Sequence, residues 1–294
     1  MRAMVMIDTL RSGLSAMRGW SDRHRRIIVP ASVVLFCVVL VYAVSSAGIT
    51  WSALSPSFLV FNLIVLTPLV LVLNAIGLMA SGWALGTRIP LGKATKVIAA
   101  GMVADLTPLP GSFAAHSGAL LLSGAKAGKV GLLMSGRSLF MLGFAVLVAS
   151  FALMSNEAVP AGLTGIIGAI LTVIGAGMIL SSCDPMKALM LLLQRIVTFL
   201  MIALRIFVSF ASLGIAIAMM DAPVFATAGI VGSLAFFTPG GLGISEALGA
   251  LAAPLFDASP AGAFAAIALN RILTIALCGG VVLFSLNKET AGIE

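Results

Sequence analysis

Two long apolar stretches in this 294-residue chain are each broken in the middle by proline and glycine. Residues about 97–123 are split at Thr107-Pro108-Leu109-Pro110-Gly111, and residues about 224–254 at Thr238-Pro239-Gly240-Gly241. Each break leaves pieces of roughly 11–15 residues, which at 1.5 Å per residue cover ~16–22 Å. A hydrocarbon core of ~30 Å needs a helix of ~20 residues. The pieces are too short to cross singly, and the backbone freed by proline and glycine cannot face lipid. The pattern predicts two helical hairpins that enter a membrane, turn inside it, and leave on the side they came from.

The rest of the chain fits the same solvent. Uninterrupted apolar runs lie at about 27–48, 57–82, 130–154, 160–181, 188–220 and 260–286, each long enough to span. Mean hydropathy is +1.18 and charged residues are 9%, against roughly 25% in soluble domains. The expected fold is an all-α polytopic membrane protein: about six transmembrane helices plus two re-entrant helical hairpins in an inverted repeat. A single membrane domain over 27–286 is flanked by a basic leader, 1–26, and a short tail, 287–294. In the leader, Met6, Leu10, Leu14 and Met17 share a helix face among six arginines, which reads as an interfacial helix on an anionic cytoplasmic leaflet. A basic tail without structure is the alternative. The run at 27–48 reads as a retained anchor rather than a cleaved signal peptide.

Charge sets the orientation. With a cytoplasmic amino terminus, six crossings and two hairpins put Arg88, Lys93, Lys96, Lys126, Lys129, Lys187 and Lys288 inside. The outer loops then hold Glu157, Asp221 and Asp257, with no lysine or arginine. This is the positive-inside bias, and it places both termini in the cytoplasm of a bacterial inner membrane. The first hairpin then enters from inside and the second from outside, and each is followed by a span carrying an arginine, Arg137 or Arg271. Two such units related by an axis in the membrane plane are a recurrent transporter plan, with a substrate site where the broken helices meet.

Ionisable residues inside a bilayer are costly and usually functional. Here they are Asp105, His116, Arg137, Arg195, Arg205, Glu246 and Arg271. Gln194, Thr198, Arg205, Ser209 and Ser212 fall on one helix face, and Arg271, Thr274 and Cys278 on another, so both stripes should face protein or a wet cavity. Four arginines against two acids leave two positive charges, which suits a phosphate gripped by guanidinium. Arg195, nearer the cytoplasmic end, ranks last. The helix amino termini at 111–113 and 241–243 should add inward-pointing amides for an anion. Internal pairing, Arg137 with Asp105 and Arg271 with Glu246, is the structural alternative. His116 fits hydrogen-bonded packing or a proton relay better than a metal site. Glycines from 162 to 177 fit close helix packing.

TPGGLGISEALGAL, followed by a span with Asn270-Arg271, resembles the closing signature of the lysylphosphatidylglycerol synthase transmembrane-region family, also called flippase-like. LTPLPGSFAAHSG and the later Ser-Gly-Arg137 resemble its first signature, though the Gly-Glu and arginine often found soon after that turn are replaced by apolar or small residues, with His116 nearby. The resemblance covers roughly 95–286. It implies a membrane region that moves an aminoacylated phosphatidylglycerol between leaflets. The soluble domain that performs aminoacyl transfer in the synthases has no counterpart in this stretch, so that reaction is not carried over.

The expected function is a flippase for an anionic or modified phospholipid. Its substrate-binding residues would be Arg271, Arg137, Arg205, Glu246, Gly240, Gly241, Asn270, Asp105, His116 and Gly111. The alternative is a transporter or transferase subunit of polyprenyl-phosphate or lipid-linked sugar metabolism. No P-loop, HExxH pair or CxxC pair is present, and Cys37, Cys183 and Cys278 are far apart, so neither cofactor nor metal is expected. Expected partners are the membrane, an anionic lipid, a second copy of the chain or a lipid-modifying enzyme. Nucleic acid is not among them, since the chain has no soluble basic domain.

Overall fold

The computed structural model describes residues 34, 36–50, 52–105, 111–154, 160–233 and 241–291, with side chains through Ser285. The leader 1–26, both turn sequences (107–110 and 238–240, hence Gly240), Glu157 and the tail beyond Ala291 lie outside the described residues. The described elements are helices: α1 (Phe36–Ser46), α2 (Pro56–Phe61), α3 (Thr67–Ala84), α4 (Leu91–Ala104), α5 (Gly111–Leu122), α6 (Ala127–Leu153), α7 (Ala161–Leu180), α8 (Pro185–Ser212), α9 (Ala222–Ser233), α10 (Ile244–Ala252) and α11 (Pro260–Ala291). Five rods are long and apolar enough to cross a membrane: Pro56–Ala84, α6, α7, α8 and Pro260–Ser285 of α11. The chain is an all-α, multi-pass membrane protein.

Two boundaries differ from expectation. The run 188–220 stops being helical at Ser212, because Gly214 adopts φ 71° beside the Ala53 backbone and turns the chain. At the other end α11 continues to Ala291, so the expected tail from 287 starts within a helix. Of the sixth expected span, 27–48, the described part is the shorter helix α1.

The first rod contains a local widening. Pro68 has no N–H and its ring crowds the carbonyl four residues back. The ladder opens into a π-turn over Asn62–Leu66, where the Thr67 N–H reaches Asn62 O and Thr67 Oγ1 donates to the same carbonyl at 2.8 Å. The bulge turns Asn62 into the protein, where it is fully buried.

α6 and α7 pack tightly and antiparallel along glycines. Gly136 and Gly143 of α6 meet Gly175 and Gly168 of α7, and a Cβ on Gly143, Gly168 or Gly175 would run into the facing backbone. The expected small-residue packing between 162 and 177 is met at Gly168 and Gly175, and at Gly165 against Ser150, while Gly162 and Gly177 have open space at their Cβ positions.

The two broken stretches form packed helix pairs, α4 with α5 and α9 with α10. None of the four helices is longer than the 14 residues of α4, ~21 Å. The α4–α5 pair closes on itself at its neck, where Ser123 Oγ donates to Thr87 Oγ1 at 3.0 Å. That neck lies at the end of the bundle where Leu85, Gly86, Lys129, Ser181–Asp184 and Lys187 surround a cleft, and Lys187 stacks over Trp83 at 5.0 Å. The α9–α10 pair has its neck at the opposite end, where the Phe225 and Phe256 rings lie 5.7 Å apart. Loops meet there too: Ser55 N–H bonds Ser212 O at 3.0 Å, and Gly262 packs on Ile215. The two pairs thus enter the bundle from opposite ends. α4 packs against α11, and α9 against α6.

Candidate functional site

The inner ends of both helix pairs open on one cavity of about 270 Å³. Asp105 and Met102 reach it from α4, Gly229 and Ser233 from α9, and Ser245 from α10. Arg205 of α8, Asn270, Arg271 and Thr274 of α11, and Asn74 of α3 complete its polar wall.

Each pair puts an acid at the start of its second helix. Asp105 ends α4, and its two carboxylate oxygens accept from Ser112 N–H at 2.8 Å and from Ser112 Oγ. It caps α5 from across the turn, as an anion at a helix amino terminus should. Glu246 does the same from within α10, accepting the Gly243 N–H at 2.9 Å. Gly241 and Gly243 have φ of 70° and 83°, a region in which side chains are strained, and Gly241 lies directly on the Gly232 carbonyl. Gly111 packs likewise against the end of α4 at Ala104. Gly111 and Gly241 therefore build the site without lining it. Of the amides expected to favour an anion at 111–113 and 241–243, those of Ser112 and Gly243 already serve Asp105 and Glu246.

Arg271 lies between the two acids. Its Nε is 3.1 Å from Glu246 Oε1, its Nη2 donates to Ser245 Oγ at 2.9 Å, and it feels the charge of Asp105. Glu246 is fully buried behind it. Arg205 sits in a neutral cradle. Its Nε donates to Asn62 Oδ1 at 3.3 Å, and its Nη2 to Thr274 Oγ1 at 2.9 Å and to the Asn270 carbonyl at 3.2 Å. Asn62 Nδ2 in turn donates to Ser209 Oγ at 2.9 Å. The side-chain oxygen of Asn270 is buried without a hydrogen-bond partner, an acceptor left open at the cavity wall.

The polar stripe of α8 faces protein as expected: Gln194, Thr198, Arg205, Ser209 and Ser212 are all buried. Arg137 departs from expectation. It neither lines the cavity nor pairs with Asp105. It reaches α3 and α8 instead, donating to the Gly77 carbonyl at 2.8 Å, to Ser81 Oγ and to Gln194 Oε1 at 3.2 Å. The missing side chain of Gly77 makes room for it. His116 and Arg195 do not line the cavity; His116 feels the charges of Arg137 and Arg195, and Arg137 that of Arg195. The two surplus positive charges counted from sequence therefore lie away from the cavity, whose wall holds Arg205, Arg271 and Asp105, with Glu246 buried behind Arg271.

Sequence reasoning missed Asn62, Asn74 and Ser245. The signal for Asn62 was present: an asparagine five residues before Thr67-Pro68 in an apolar span. Among the described residues no group of three metal-ligating side chains occurs. Compared with known proteins, the chain matches no family model and no curated protein.

Proposed function

We propose that the protein moves an anionic or modified phospholipid, such as an aminoacylated one, between the leaflets of a bacterial inner membrane. The observation that carries this reading is the convergence of two broken helix pairs, from opposite ends of the bundle, on one cavity where Arg271 faces an acid from each. In this reading the pairs are re-entrant hairpins of an inverted repeat, which the exchanged contacts of α4 with α11 and α9 with α6 support. A volume of about 270 Å³ suits a headgroup and leaves the acyl chains in lipid. Headgroup phosphate would meet the guanidinium groups of Arg205 and Arg271. An amine on the same headgroup would meet Asp105 and the open Asn270 Oδ1. The likeness of TPGGLGISEALGAL to the flippase-like family supports the same assignment, with Lys129 and Lys187 at the cytoplasmic end.

The deciding experiment uses proteoliposomes carrying a fluorescent phospholipid and a quencher confined to the outer solution. Active protein raises the quenched fraction above the roughly half set by the outer leaflet. Transfer of anionic or aminoacyl phospholipid supports the proposal. No transfer across a panel of anionic, aminoacyl and polyprenyl lipids removes it.

A further inference from the structure

Burial of positive charge without a counter-charge recurs at one place outside the cavity. Arg137 is 2% exposed, and every partner of its guanidinium is neutral: the Gly77 carbonyl, Ser81 and Gln194. Its Nε is buried and has no hydrogen-bond partner. Arg195 follows Gln194 directly on α8, and its Nε is likewise buried without a partner. The two arginines repel each other, His116 feels both, and among the described residues no carboxylate acts on any of the three. Their depths match. Arg137 lies ten residues beyond Ala127 (137 − 127) and Arg195 ten beyond Pro185 (195 − 185), in helices that pack together and run parallel.

Five residues after Gly241, which packs on the preceding limb, stands Glu246, the built-in counterion of Arg271. Five residues after Gly111, which packs on its own preceding limb, stands His116, near Arg137. One half supplies its arginine with a carboxylate; the other puts an imidazole there and adds a second guanidinium. A buried guanidinium and a half-buried one, each with an unused buried Nε–H and no carboxylate answering it among the described residues, favour an anion that joins them.

We infer that Arg137, Arg195 and His116 form a second anion site, separate from the central cavity, for a phosphate-class oxyanion that does not belong to the chain. Guanidinium forks bind such an oxyanion with paired, charge-assisted hydrogen bonds, and the His116 imidazole lies within the field of both arginines. The chemistry is that of a phosphodiester in a lipid headgroup or of free phosphate. This site does not depend on lipid movement through the cavity.

The test uses the full chain in neutral detergent. Binding is followed by native mass spectrometry and thermal unfolding with phosphatidylglycerol, diacylglycerol or inorganic phosphate. The wild type is expected to bind and be stabilised by phosphatidylglycerol or by phosphate, and not by diacylglycerol. A response to phosphate alone identifies a free anion, and a response to phosphatidylglycerol alone a headgroup; either supports the site. Arg195→Gln and His116→Glu should each weaken this binding at least tenfold. His116→Glu builds in the missing carboxylate, so its ligand-free form should unfold at a higher temperature than the ligand-free wild type. Asp257→Asn, at the far end of the bundle, should keep this binding. No binding by the wild type overturns the inference. So does binding that survives both His116→Glu and Arg195→Gln in folded protein.

Discussion

Arg271 and Glu246 form an ion pair of 3.1 Å in which the carboxylate is fully enclosed and the guanidinium borders the cavity. A carboxylate in that position is tolerable only while a cation answers it. Glu246 also caps α10 through Gly243, so the pair couples the cavity wall to the turn of the second helix pair. A ligand phosphate that draws Arg271 away would loosen that turn at the same time.

Truncating Arg271 therefore removes more than a ligand contact. Arg271→Ala leaves Glu246 buried and unanswered, and breaking one side of a buried pair costs about 3–5 kcal/mol. The double variant Arg271→Gln with Glu246→Gln should recover most of that loss. Thermal unfolding in detergent gives the stabilities, and the proteoliposome assay should show transport lost in both variants. Equal unfolding temperatures for the single and double variants would remove the pair from the account of stability.

Arg205 depends on a different device, the π-turn that Pro68 forces into the first rod. Asn62→Ala leaves Arg205 Nε without its acceptor, and leaves Ser209 without the donor that Asn62 Nδ2 supplies. One lost buried partner of this kind costs about 1–3 kcal/mol. Asn62→Asp returns an acceptor to the guanidinium and should be more stable than Asn62→Ala. Denaturant or thermal unfolding of the three proteins checks the order. An Asn62→Ala protein as stable as wild type would show that the bulge does not hold Arg205.

What the sequence made legible follows from what is local. Pro and Gly announce where a helix must stop, so both broken pairs and their short limbs could be read from TPLPG and TPGG. Period 3.6 placed Arg205 and Ser209 on one inward face before any neighbour was known. The partner of a long side chain is not local. Arg137 lies 32 residues past Asp105 in the chain (137 − 105), yet it turns to Ser81 and Gln194, whose helices pack beside it. Counting charges gave the correct surplus of two and the wrong place for it. Only the fold divides four arginines into a balanced pair at the cavity and an unbalanced pair between α6 and α8.

The glycine contacts of α6 and α7 predict a contrast between residues of one type. Gly143→Ala pushes a methyl group into the α7 backbone near Thr172, which should destabilise by about 1–3 kcal/mol through overpacking. Gly177 of the same helix pair has open space at its Cβ position. Gly177→Ala should be neutral or stabilising, because alanine is favoured over glycine in a helix by about 1 kcal/mol. Unfolding temperatures of the two variants compare them directly. Equal behaviour would show that the close approach is not a constraint on stability.

The opposite ends of the bundle give the last prediction, on orientation. Cys183 borders the cleft that also holds Lys129 and Lys187, and Asp257 lies at the other end, after the turn Ala253–Phe256. Positive-inside bias puts the lysine end in the cytoplasm. In a Cys37→Ser background, a membrane-impermeant maleimide added to intact spheroplasts should label Asp257→Cys and spare Cys183. Inside-out vesicles should reverse the pattern. Burial, first, and the neighbouring Asp184 raise the Cys183 thiol above its ordinary range, although Lys187 and Lys129 oppose them. The thiolate is the reacting form, so a raised pKa lowers its share at neutral pH and restores it as pH rises. Labelling of Cys183 in inside-out vesicles should therefore be slow at pH 7 and faster at pH 9. Rapid labelling of Cys183 in intact spheroplasts would invert the topology and, with it, the side from which each helix pair enters.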